Sequence, residues 1–146
     1  MIFLLPGAGA ADITVRNPME KVSTDLFSNA TRKTPSVYME GSRFVVSGRS
    51  IPENPGAFYR PLYNWLTQRL PADSEPTVIE FGFEYLNTAS AKWVYILLRD
   101  LIRAGRSFSL NWCYEKGDED MLDLGIMLKN LLGCPFTSIE VDEINI

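Results

Sequence analysis

Between residues 34 and 141 the apolar residues keep changing period, from strand-like to helix-like and back. That alternation restricts the fold more than any other feature of the chain. Val37-Tyr38-Met39 and Phe44-Val45-Val46 flank Glu40-Gly41-Ser42 and predict a β-hairpin with a glycine in its turn. Asn54-Pro55 supplies an N-cap and a first-turn proline for a helix with apolar positions Phe58, Leu62, Trp65 and Leu66, which Pro71 stops. Residues 77–83 predict a strand, 84–88 the turn after it, and 89–104 a deeply packed helix. Its stripe is Val94, Leu97, Leu101 and Ala104, widened by Trp93, Ile96, Leu98 and Ile102, and Gly105 ends it. A strand over 108–114 follows. Asp118-Glu119-Asp120 opens a third helix reaching about Leu132, and residues 135–141 form a last strand.

A hairpin followed by alternating helices and strands implies right-handed crossovers and one α/β domain. The expected sheet is mostly parallel, with about four to six strands. Three main helices pack on it. A chain of 146 residues supports one core and not two comfortable domains. We assign residues 1–30 to an N-terminal extension outside the core and 31–146 to the domain. Met1-Ile2-Phe3-Leu4-Leu5 resembles the start of a signal peptide, but no basic residue precedes it and Pro6 interrupts it. Met19 is an alternative start, since ordered-looking sequence begins there. No run approaches the roughly 20 apolar residues of a membrane span.

The chain has no histidine. This excludes Ser-His-Asp and Cys-His catalysis, histidine general bases and histidine metal sites. Cys113 and Cys134 lack the CxxC spacing of zinc or redox pairs and read as buried free thiols, which suits a reducing cytoplasm. A net charge of −4 disfavours nucleic acid and anionic membrane surfaces as partners.

The informative stretch is Tyr85-Leu86-Asn87-Thr88-Ala89-Ser90-Ala91-Lys92, which follows a strand and opens a helix. Open α/β sheets place functional sites there. Unpaired N–H groups and the partial positive charge of a helix start would tolerate a phosphate on Thr88, with Lys92 facing it one turn on. The competing reading is that Asn87 or Thr88 is only a cap. Ser50 and Glu53 match a capping box and Asn54 a plain cap, against a role for Glu53 and Asn54 in partner contact. Asp118, Glu119, Asp120 and Asp123 serve the helix dipole and lack calcium-loop spacing. Arg99, Arg103 and Arg106 read as a solvated face or as a basic edge for an acidic partner.

Gly48-Arg49-Ser50-Ile51-Pro52-Glu53-Asn54, the Tyr85–Lys92 stretch, and Trp112-Cys113-Tyr114 with Asp118-Glu119-Asp120-Met121 together resemble the SiaC family, over roughly residues 31–142. These are bacterial biofilm-regulating phosphoproteins, akin to anti-sigma factor antagonists with a STAS-like fold. The resemblance implies that Thr88 is phosphorylated by a dedicated kinase and dephosphorylated by a PP2C-type phosphatase. It implies too that the unphosphorylated form binds and activates a diguanylate cyclase, raising cyclic-di-GMP. Partner contacts would come from Glu53, Asn54, Tyr85, Asn87, Ser90 and Lys92. Ala89 stands where the family often has serine, and Ile51 where it commonly has tyrosine. The chain is thus expected to be a cytoplasmic, non-enzymatic partner-switching regulator without cofactor or metal. The alternatives are a small α/β enzyme or nucleotide-binding domain, disfavoured by the missing GxGxxG and P-loop patterns, and a structural subunit of an assembly.

Overall fold

The computed structural model describes residues 27–69 and 77–144. Met19, most of the N-terminal extension and the helix stop at Pro71 lie outside the described residues. The elements, in chain order, are β1 (Ser36–Glu40), β2 (Arg43–Ser50), α1 (Pro55–Arg69), β3 (Thr77–Leu86), α2 (Thr88–Arg103), β4 (Phe108–Glu115), α3 (Glu119–Leu132) and β5 (Phe136–Val141). The sheet order is β1-β2-β3-β4-β5. β1 pairs antiparallel with β2 as the predicted hairpin, and the other neighbours are parallel.

Stepping one strand at a time in one direction with right-handed crossovers puts every helix on the same face of the sheet. The packing agrees. Phe44, Val46, Ile79, Phe81, Phe83, Leu110 and Trp112 alternate onto that face and meet Tyr59, Leu62 and Leu66 of α1, Val94, Leu97 and Leu101 of α2, and Met121 and Leu128 of α3. The other face carries polar residues joined across strands. Arg43 pairs with Glu80 at 2.8 Å and with Glu40, and Asn111 donates to Glu80 at 3.3 Å. After β5 the chain turns back over this face. Ile144 is buried there, its Cδ1 3.3 Å from where a Cβ on Gly82 would stand.

Two boundaries and one helix face differ from the sequence reading. β3 continues to Leu86, so Tyr85 is a strand residue and not part of a turn. The buried side of α1 is Tyr59, Leu62 and Leu66, while Phe58 and Trp65 are half-buried. Within the segment assigned to the extension, Phe27 packs on Trp65 with ring centroids 5.8 Å apart, and Ser28 bridges to Val37. The domain therefore starts a few residues before 31.

Candidate functional site

The carboxyl ends of β2 and β3 and the starts of α1 and α2 converge at one edge of the sheet. In the register between these strands Gly48 faces Phe83 but Arg49 faces Tyr85, so Glu84 is an extra residue in β3. Such a bulge re-aims the side chains beyond it. Tyr85 emerges 57% exposed beside Arg49, whose guanidinium lies 5.4 Å from the ring centroid. Arg49 also holds Glu84 at 2.9 Å. The next pair, Ser50 and Leu86, turns back toward the helices.

Below this edge lies a buried group of hydroxyls. Ser50 Oγ is 2.6 Å from Tyr59 Oη and donates to Ser90 Oγ at 3.0 Å. All three residues are fully buried. Burial raises the Tyr59 phenol well above its ordinary pKa. The group joins the end of β2, the second turn of α1 and the first turn of α2. Asn87 N–H donates to Ser50 O at 2.9 Å and adds a backbone tie between the same loops.

Asn87 is the N-cap of α2, with extended backbone, and its Oδ1 accepts from Ser90 N–H at 2.8 Å. The cap question left open by spacing is answered: Asn87 caps. Thr88 is the first helical residue and is exposed. Among the described residues its hydroxyl has no hydrogen-bond partner. Ala89 and Lys92 are exposed beside it, with Lys92 one turn along.

The other expected partner residues divide. Glu53 is exposed and paired with Lys33, whose hydrogen bond holds its carboxyl below the usual range. No capping box forms, because Ser50 is turned inward. Asn54 is exposed and caps α1, its Oδ1 accepting from Ala57 N–H at 3.3 Å. Ser90 is the correction: it is sealed inside the domain and supports the site from below, so its hydroxyl touches no partner. Ile51, noted in the sequence as standing where the family commonly has tyrosine, is an exposed apolar side chain on the same edge, and sequence reasoning missed Tyr59. The spacing of Tyr59, Leu62 and Leu66 was the available signal for Tyr59.

The arrangement offers an exposed surface around Thr88. Glu80 and Glu84, the nearest thing to a carboxylate pair, are each held by an arginine. Burial raises the Cys113 thiol to about 11 and raises Cys134 as well, so both stay protonated near neutrality. Among the described residues no group of acids and cysteines is placed to hold a metal ion, and no helix is long and apolar enough to cross a membrane.

Known proteins resemble this chain along most of the domain. The sequence model of a family described as SiaC family regulatory phosphoprotein matches residues 28–141. An uncharacterised protein of Pseudomonas aeruginosa strain UCBPP-PA14 is 27% identical over 125 residues, covering 82% of this chain and 99% of the relative. Among solved structures, a chain in the crystal structure of the diguanylate cyclase SiaD in complex with its activator SiaC, from Pseudomonas aeruginosa, superposes with a TM-score of 0.69 at 24% identity. It covers 78% of this chain and 98% of that one. SiaC of Pseudomonas aeruginosa alone gives a TM-score of 0.67 at 24% identity, covering 79% and 97%. At these identities the solved structures speak for the fold.

Proposed function

The chain belongs to the SiaC family of regulatory phosphoproteins, and from that we propose that it is a partner-switching regulator, not an enzyme, controlled by reversible phosphorylation of Thr88. The observation that carries this reading is the placement of Thr88: first residue of α2, exposed, its hydroxyl unengaged among the described residues, beside a preformed cap. A kinase can reach such a hydroxyl without unfolding anything. A phosphate there gains roughly 0.3–1 kcal/mol from the helix start, so it changes the surface and leaves the fold standing.

The unphosphorylated form binds and activates a diguanylate cyclase in this reading. Support comes from the family and from the structural neighbour whose partner is the cyclase SiaD. A kinase and a PP2C-type phosphatase set the phosphorylation state, and the cytoplasm is the compartment. The regulatory domain is taken as residues 31–146, extended back to Phe27 by its packing. Glu53, Asn54, Tyr85, Asn87 and Lys92 form the contact edge around Thr88, and Ser90 supports it.

The test is intact-mass and peptide spectrometry on protein from its native cells, joined to cyclase assays. A phosphate-sized increment mapped to Thr88, with Thr88→Ala activating a cyclase and Thr88→Glu failing to, is the expected result. Thr88→Glu that activates as well as wild type would defeat the proposal.

A further inference from the structure

The outward face of α2 is basic in an acidic molecule. At about 100° per residue, Thr88, Lys92, Arg99 and Arg103 fall within a sector of about 60°. That sector is opposite the buried residues Ser90, Val94, Leu97, Leu98 and Leu101. It is a single stripe, about 22 Å long from Thr88 to Arg103. α2 carries Lys92, Arg99 and Arg103 against one acid, Asp100, in a chain of net charge −4. The next helix is acidic at its start, with Glu119 and Asp120.

Nearby, Lys33 pairs with Glu53 and Arg49 with Glu84, while Arg60 of α1 lies 5.3 Å from the Trp93 ring centroid and, among the described residues, adds a further cation without a carboxylate in ion-pair distance. Along the stripe, Arg99 contacts Asp100 at 3.0 Å and lies 5.7 Å from the Tyr95 ring centroid. Among the described residues, Lys92 and Arg103 have no carboxylate within ion-pair distance. A solvated face needs no such asymmetry of sign. An acidic partner segment does.

We propose that this stripe, Lys92-Arg99-Arg103 with Tyr95 at its side, is the docking surface for an acidic segment of the protein partner, and that a phosphate on Thr88 competes with that segment for Lys92. The proposal rests on the reading of Thr88 as the switch and names its mechanism. A phosphorylated Thr88 stands at the head of the stripe, four residues from Lys92, the spacing at which helix side chains meet. Its roughly two negative charges neutralise the nearest cation from within and repel an incoming carboxylate. Three cations on an otherwise acidic protein suit an acidic protein segment better than a membrane or nucleic acid, whose extended charge the rest of the surface repels.

The experiment is titration calorimetry of the full chain against the purified diguanylate cyclase of the same cell, at low and at high salt. Lys92→Glu combined with Arg103→Glu should weaken binding about tenfold or more at low salt and remove most of the salt dependence. The thermal midpoint should fall by no more than a few degrees, because Arg103→Glu puts an acid in the last turn of α2, and Lys129→Glu on α3 should bind as wild type does. Thr88→Glu should cost less in the charge-reversed background than alone, since Lys92, the cation it faces, is gone. If the charge-reversed variant binds as wild type with the same salt dependence while Thr88→Glu still releases the cyclase, the stripe is wrong and the switch reading survives. If Thr88→Glu does not release the cyclase from the wild-type background, or the wild-type chain does not bind it at all, the switch reading falls and takes the stripe with it. Binding to phosphatidylserine vesicles or single-stranded DNA that needs Lys92 and the two arginines, with cyclase binding indifferent to them, would also overturn the proposal.

Discussion

Ser50 carries more than its size suggests. It is the middle of the buried hydroxyl group, so Ser50→Ala removes the short bonds to both Tyr59 and Ser90, whereas Ser90→Ala removes one of these and weakens a further contact with Tyr59. Leaving the Tyr59 hydroxyl short of a partner in the core costs about 1–3 kcal/mol, and losing a single satisfied bond about 1 kcal/mol. Urea unfolding should therefore rank Ser50→Ala clearly below Ser90→Ala, and equal midpoints would contradict the central role of Ser50. At this scale the sequence was partly legible. The helix start around Asn87 and Thr88 follows from local chemistry, because a cap and its acceptor lie within one turn. The role of Ser90 does not, because its partner is Ser50, distant along the chain and brought close only by the pairing of β2 with β3. A serine that looked like a contact residue is held inside by a neighbour that local spacing cannot reveal.

Two element contacts hold the helices to the sheet and to each other. Gly125 of α3 sits against Trp112 of β4: a Cβ there would come within 2.5 Å of the indole Cδ1, and Trp112 Nε1–H already donates to Met121 O at 2.9 Å. Gly125→Ala should destabilise by about 1–3 kcal/mol by forcing α3 off the sheet, although alanine favours an exposed helix. A thermal midpoint at or above wild type would refute this. Between α1 and α2, Tyr63 Oη donates to Asp100 at 2.7 Å and holds the carboxyl below its usual pKa. A depressed folded pKa means stability that is present above the unfolded value of about 4 and lost as pH falls through the folded one. Tyr63→Phe should thus cost at most about 1 kcal/mol at neutral pH, the carboxyl being partly solvated, and the difference should shrink below about pH 4. A deficit that persists unchanged in acid would point to packing instead. Element order and type were readable from period alone, and the end of β3 was not. Glu84 and Tyr85 look like turn residues, but pairing with β2 carries the strand through a bulge that places Tyr85 beside Arg49.

Seen whole, the molecule is a one-sided layer: helices and core on one face of the sheet, a polar face partly covered by the returning tail on the other. One-sidedness follows from connectivity, and connectivity was legible because the order of strands and helices leaves few right-handed solutions. The tail contact of Ile144 was not legible, since nothing in its local sequence points to Gly82. The edge around Thr88 is tied by the hydroxyl group, two helix caps and the pairing of Arg49 with Glu84. On the proposed reading, a phosphate at Thr88 acts by changing what this edge binds and leaves these ties in place. The measurement that tests this most directly is affinity for the diguanylate cyclase of the same cell, made on wild-type chain before and after stoichiometric phosphorylation at Thr88, with amide hydrogen exchange recorded on both forms. The account predicts that phosphorylation abolishes binding while exchange in β2, β3 and α2 stays unchanged. Binding that survives a fully phosphorylated Thr88, or a loss of binding accompanied by opening of these elements, would contradict it.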